Sequence, residues 1–119
     1  MITIYHNPRC SKSRETLALV DAAATRLGEP LEIVEYLKTP PDLGTLTALH
    51  ALLGLPVRAM IRDGETPYAE LGLADAALSD QALLTAVATH PVLLQRPLVV
   101  RGERAVIGRP PENVLAILN

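Results

Sequence analysis

The first 36 residues confine this chain to a narrow set of folds. "MITIY" at residues 1–5 alternates and predicts a β-strand. Leu17, Val20, Ala24 and Leu27 recur at helical spacing over residues 11–27, and Gly28 and Pro30 end that pattern. "LEIVEY" at 31–36 predicts a second strand, with acidic residues leaving one face. A strand, a helical crossover and a strand imply a parallel pair, because parallel neighbours need a connection of this length. Strands this apolar do not face water, so helices are expected on both faces of the sheet.

The rest of the chain adds helices and then a hairpin. Asp42 can cap a helix whose stripe is Leu43, Leu46, Leu49 and Leu53 and which Gly54 closes. "LPVRAMIRDG" predicts a short helix with Pro56 in its first turn. "LSDQALLTAVATHP" predicts another, capped by Ser79 and stopped by Pro91. Two strands, 98–101 and 104–107, flank Gly102-Glu103, a pair that suits a type II′ turn. "PPENVLAIL" closes the chain as a helix with Pro111 in its first turn. The expected class is α/β: a small mixed sheet made of a parallel β-α-β unit and an antiparallel C-terminal hairpin.

At 119 residues the chain is the size of one domain and needs no metal or disulfide staple. It has no Trp and no Phe, so Leu, Val, Ile and Ala must build the core. A net charge of −2 argues against a nucleic-acid surface as a global property but leaves room for a local basic pocket. No apolar run approaches the ~20 residues of a membrane span. Met1 leads straight into a strand without a charged-then-apolar leader. One cysteine cannot form an internal disulfide. A cytoplasmic address is the expectation.

That cysteine, Cys10, stands at the junction of the first strand and the first helix. Unpaired backbone N–H groups and the helix dipole favour an anion there. Arg9, Lys12 and Arg14 add positive charge, and no acid precedes Glu15. Lys12 and Arg14 oppose the dipole at a cost of a few tenths of a kcal/mol each, which points to an anion nearby. His6 lies close enough in sequence to hydrogen-bond the sulfur if the loop folds back. A thiolate is the reactive form of cysteine. The alternative, a small buried hydrophobe, fits poorly with neighbours that are Asn, Pro, Arg, Ser and Lys. Ser13 occupies the second position of a Cys-x-x-Cys motif, and Thr16 the arginine position of a Cys-x5-Arg phosphatase loop, so neither chemistry is available. With no second cysteine, an oxidised or adducted Cys10 must be released by an outside thiol. His50 and His90 have no ligand-spaced Cys, Asp or Glu and read as structural; no metal site is expected.

"YHNPRCSKSRETL", "YLKTPP", "VRAMIRDGETPYAELGL", "HPVLLQRPLVV" and "IGRPPENVLAIL", in this order along the whole chain, resemble the glutaredoxin-linked arsenate reductase family, the ArsC-type proteins. The resemblance implies a thioredoxin-like fold. It implies a single domain, 1–119, whose four-stranded sheet is interrupted by a helical insertion over about residues 42–94 and followed by a closing helix. It implies Cys10 as nucleophile, His6 as its assistant, and Arg62, Arg96 and Arg109 as the oxyanion-binding arginines. Pro97 would be a cis-proline, and Asn7, Ser13 and Arg14 are further candidates for supporting roles. The implied reaction reduces arsenate to arsenite with glutathione as co-substrate and glutaredoxin as partner, without a bound cofactor. Guanidinium forks suit a tetrahedral oxyanion because they pair its oxygens two at a time and stay charged. Each close contact is worth up to ~4 kcal/mol before desolvation at an effective dielectric near 20.

Three alternatives bear on individual residues or on function. Arg26, Arg101 and Arg104 read as solvated surface charges, and Arg58 either faces the site or pairs with an acid. The sequence has Ser11-Lys12-Ser13-Arg14 where well-known members carry Gly-Thr-Ser-Arg, so the same chemistry could serve another oxyanion or a glutathione mixed disulfide. The related disulfide-stress regulators that bind RNA polymerase share the fold, but they commonly use Cys-x-x-Cys and lack the arginine of "GRPP", which is Arg109 here.

Overall fold

The computed structural model describes residues 1–119. They form two compact units: Met1–Thr39 with Arg96–Asn119, and Pro40–Gln95.

The first unit carries the sheet. Its elements are β1 (Ile2–His6), α1 (Ser11–Leu27), β2 (Leu31–Glu35), β3 (Leu98–Arg101) and β4 (Arg104–Ile107). The strand order is β2-β1-β3-β4. β1 and β2 are parallel, and β1–β3 and β3–β4 are antiparallel, so the expected mixed sheet is present. Ile4 lies opposite Ile33 on one side and Val99 on the other. Ile2, Ile4 and Val99 pack with Val20, Ala23 and Ala24 of α1 and with Val114, Ile117 and Leu118 near the C-terminus. Each fully buried Ile, Leu or Val contributes roughly 1.5–3 kcal/mol. Side chains alternate along a strand. The face that buries Ile2 and Ile4 therefore also buries His6, which is 5% exposed.

Local chemistry sets the element ends. Gly28 adopts φ +68°, and the Glu29 N–H reaches back to the Ala24 carbonyl at 3.0 Å, closing α1. At the β3–β4 turn Gly102 has φ +60° while Glu103 does not have a positive φ. A type I′ turn needs both residues positive, so the turn fits type II′.

The last segment differs from expectation. Residues Pro111–Ile117 form a 3-10 helix rather than an α-helix. Seven residues with a proline at the start gain few α-type hydrogen bonds for the cost of nucleation. Tertiary contacts fix this segment instead. Arg101 Nη1 donates to the carbonyl oxygens of Ile117 and Asn119 at 3.1 and 2.9 Å. Arg26 donates to Leu118 O at 3.2 Å, and Arg104 donates to Ala116 O. Arg26 and Arg104 are exposed, as expected of surface charges, while Arg101 is partly buried against Glu29 and corrects that reading; all three guanidinium groups take up carbonyls that the short helix leaves open. Glu29 completes the clamp, accepting from Arg101 Nε at 3.0 Å and pairing with the Met1 amine at 3.4 Å. The Arg101 hydrogen bond holds the Glu29 carboxyl below its ordinary pKa.

The second unit is helical: α2 (Leu43–Leu53), α3 (Thr66–Glu70) and α4 (Asp80–Thr89), with 3-10 turns at Val57–Met60 and Pro91–Leu93. Asp42 Oδ1 accepts from Thr45 N–H and Ser79 Oγ from Ala82 N–H, as the capping patterns require. Leu46 and Leu49 of α2 and Leu83, Leu84 and Val87 of α4 are buried. α3 left no trace in the sequence pattern because it buries none of its residues. Arg58 binds the Leu73 and Asp75 carbonyls, both at 2.7 Å, and Tyr68 Oη at 3.2 Å. It therefore does not pair with an acid, and ties residues 68–75 to the turn at 57–60. No helix of the chain is long and apolar enough to cross a membrane.

Arg101→Ala removes the centre of the C-terminal clamp. Amide hydrogen exchange should accelerate over residues 111–118 while β1 keeps its protection; equal protection in both variants would show that the clamp contributes nothing.

Candidate active site

The loop between β1 and α1 is built by short polar residues. Asn7 Oδ1 accepts from the Arg9 N–H at 3.0 Å, and Asn7 O accepts from the Cys10 N–H at 3.0 Å. These are turn-forming bonds of the kind Asn makes with the backbone just after it. The Arg14 guanidinium donates to Pro8 O at 3.0 Å and fastens the loop to the helix. Cys10 is thereby delivered to the N-cap of α1 with extended backbone, φ −95° and ψ 122°.

Beneath the loop lies a buried polar pair. Ser13 is fully buried and its Oγ lies 2.7 Å from His6 Nδ1. The same oxygen accepts from the Asn7 N–H at 3.0 Å. Burial, the largest influence, lowers the His6 pKa. Glu35 raises it and Arg14 lowers it further, and the net shift is downward. The ring is therefore neutral at neutral pH. His6 does not hydrogen-bond the sulfur directly, contrary to the expectation for a folded-back loop. Strand alternation sends its ring to the buried face, against Ser13, while the sulfur sits at the helix start. Its link to the thiol runs through Ser13.

Cys10 is partly exposed. Burial raises its pKa and is the largest single influence, but the Ser13 N–H, the charge and hydrogen bond of Arg96, and the Lys12 N–H together outweigh it. The net shift is downward. Neither backbone N–H completes an ideal capping bond to sulfur; both act on it as helix-start dipoles. The Lys12 ammonium is turned aside into a 3.6 Å pair with Glu15, both half exposed. The base of the helix contributes its backbone, and the close cation is Arg96.

The opposite wall comes from the hairpin. The Arg96–Pro97 and Arg109–Pro110 peptide bonds are both cis. Arg109 Nη1 donates to the Arg96 carbonyl at 3.4 Å, so these two arginines are neighbours. Two residues missed in the sequence hold them. Thr16 is fully buried and donates to Lys12 O at 2.8 Å and Gly108 O at 3.4 Å. Gly108 donates to Pro97 O at 2.9 Å. A Cβ at Gly108 would lie 2.9 Å from Pro97 Cγ and 2.9 Å from both Thr16 Cγ2 and Thr16 Oγ1. Only glycine lets the segment that leads from β4 to Arg109 approach α1 this closely. The one sequence signal was the glycine immediately before "RPP".

Arg62 belongs to the helical unit. Its backbone N–H donates to Leu93 O at 2.8 Å, and its Nε lies 3.2 Å from Glu65 Oε1. That pair is close but poorly aligned for a hydrogen bond, and the buried Nη1 has no hydrogen-bond partner. Cys10, Ser13, Arg96 and Arg109, with His6 and Asn7, are gathered within the sheet unit.

Two measurements probe this geometry. The pH profile of Cys10 alkylation should have its midpoint below that of a free cysteine. Arg96→Ala should move it upward, because the charge that favours thiolate goes while the burial that opposes it stays; an unchanged midpoint would remove Arg96 from the account. Ser13→Ala leaves the Asn7 N–H and the His6 ring without their shared partner. It should cost about 1–3 kcal/mol in denaturant unfolding and also raise the Cys10 midpoint.

The profile of the ArsC family matches residues 5–117. An arsenate reductase of Neisseria meningitidis is 48% identical over 118 residues, 98% of this chain and 97% of the relative. The uncharacterized protein YfgD of Escherichia coli is 50% identical over 118 residues, 98% and 96% of the two chains. The solved structure of an arsenate reductase from Vibrio cholerae superimposes with a TM-score of 0.88 at 50% identity, covering 98% of this chain and 96% of that one. The thioredoxin-like α/β fold is shared across nearly the whole length. A match of this extent makes the chain a member of the ArsC family.

Proposed function

We propose that this protein reduces arsenate to arsenite, with Cys10 as the one thiol that this chain supplies. The observation that carries the reading is the Cys10–Arg96 contact beside Arg109: a nucleophile held toward the anion, next to guanidinium groups suited to a tetrahedral oxyanion. The names and extents of the relatives support arsenate as substrate. Arg62 joins the proposal through the family resemblance and through its buried Nη1, which lacks a hydrogen-bond acceptor.

The chemistry balances as follows. The Cys10 thiolate attacks arsenic of dihydrogen arsenate, one proton is taken up, and water leaves, giving a thiolate–arsenate adduct. A glutathione thiolate then attacks the Cys10 sulfur of that adduct. The S–S bond forms as the S–As bond breaks. Its electron pair leaves with arsenic, which passes from As(V) to As(III), and two protons complete arsenous acid. Each sulfur gives up one electron and Cys10 becomes glutathionylated. A glutaredoxin thiolate attacks the glutathione sulfur, restores the Cys10 thiolate and carries the glutathione away as a mixed disulfide. Because the protein has one cysteine, both of the later sulfurs must come from outside. The His6 ring holds Ser13 in place.

The test couples the protein with glutathione, glutaredoxin, glutathione reductase and NADPH. Arsenate-dependent NADPH loss should vanish in Cys10→Ser. In Arg109→Ala and Arg62→Ala the KM for arsenate should rise at least about tenfold, the loss of one charge-assisted contact. A protein that shows no turnover yet still accepts glutathione on Cys10 would be a monothiol oxidoreductase for another oxyanion or for glutathione mixed disulfides. Failure of both reactions with capture of RNA polymerase would make it a redox-sensing regulator.

A further inference from the structure

A cavity opens off the loop that leads to the thiol. It encloses about 190 Å³ between His6 at the end of β1, Pro8 and Arg9 of the loop, and Glu35, Leu37 and Lys38 at and just beyond the end of β2. All of these residues belong to the sheet unit. Leu37 is 43% exposed, an apolar floor open to solvent. Lys38 and Glu35 pair across the rim at 3.4 Å.

Arg9 differs from the other arginines of the chain. Arg14, Arg26, Arg58, Arg101, Arg104 and Arg109 all donate to carbonyl oxygens. Arg62 lies against Glu65 and Arg96 against the thiol. Arg9 hydrogen-bonds only through its backbone N–H, and its guanidinium has no partner within the chain. This cation is adjacent in sequence to the nucleophile and stands on the wall of the cavity.

An outside thiol has to reach the Cys10 sulfur, since the chain supplies none of its own. We propose that this cavity docks a small carboxylate-bearing peptide thiol, with a carboxylate on Arg9, its aliphatic part on Pro8 and Leu37, and its ammonium toward Glu35. A pocket with an apolar floor and a few placed charges is the usual form of a small-molecule site, and the guanidinium fork matches a carboxylate. The assignment rests on the thiol-coupled reading of Cys10 given above, and places its co-substrate on the β2 side of the loop, away from Arg96 and Arg109, which flank the hairpin.

S-methylglutathione is a suitable probe because it keeps both carboxylates and the ammonium but cannot react. Titrated into the intact protein and followed by backbone amide NMR, it should produce saturable shifts at residues 7–9 and 35–38. Arg9→Gln should weaken that binding about tenfold, and Leu37→Asp should abolish it. No saturable shift at these residues, or shifts that Arg9→Gln leaves unchanged, would overturn the proposal. In the coupled assay Arg9→Gln should raise the KM for glutathione and leave that for arsenate within about twofold. The two readings fail separately. Arsenate turnover with an unaltered glutathione KM in Arg9→Gln sinks the docking site alone. Docking of S-methylglutathione without arsenate turnover sinks the arsenate reading alone.

Discussion

The balance of charge at one sulfur governs the rest of the site. Burial pushes the Cys10 thiol toward its neutral form, while the start of α1 and the Arg96 guanidinium pull it toward thiolate, and the pull wins. That outcome requires the sulfur to stand at the N-cap of a seventeen-residue helix, with its backbone extended so that the next N–H groups point back at it. It also requires the loop before the helix to be fixed, which the Asn7 turn, the Ser13 hydroxyl and the Arg14 guanidinium accomplish together. His6 contributes as a neutral, buried hydrogen-bond partner to this scaffold.

The arginines divide by what their guanidinium groups meet. Arg26, Arg101 and Arg104 satisfy the carbonyls of a C-terminal 3-10 segment, and Arg58 does the same for residues 68–75. Arg14 fastens the loop. Arg96 is set against the thiol, with Arg109 beside it. A guanidinium has five donors and cannot lose its proton inside a protein, so it serves carbonyl caps and oxyanions equally well. Residue type alone does not sort these roles; the neighbouring backbone does. A short terminal helix with open carbonyls recruits arginines from α1, β3 and β4, just as a thiolate recruits one from the start of the hairpin.

Gly108 and Thr16 show how the second wall is set. Their contact brings the strand end before Arg109 against α1, closer than any side chain at Gly108 would allow. Pro97 meets the same glycine. The positions of two cations therefore depend on a glycine and a threonine that carry no charge themselves. Overpacking at such a point costs on the order of 1–3 kcal/mol and displaces whatever is attached to it.

Periodicity, caps and turn residues located β1, α1, β2, α2, α4 and the hairpin, because each is written in local chemistry: alternation, the Leu stripe after Asp42, the glycines at the helix ends, and Gly102 in the turn. The Cys10 environment was legible for the same reason, since a helix start and its flanking cations are neighbours in sequence. α3 was invisible because it buries nothing, and the 3-10 form of residues 111–117 was invisible because carbonyl partners from distant arginines, not local propensity, hold it. The sequence by itself thus determined the elements, the nucleophile and the anion-favouring start of α1. Only the tertiary structure decided that His6 meets Ser13 rather than sulfur, that Arg96 is the cation at the thiol, and that Arg101 is structural. Those choices depend on which face of a strand turns inward and on contacts between residues as many as 92 positions apart, and no local pattern encodes them.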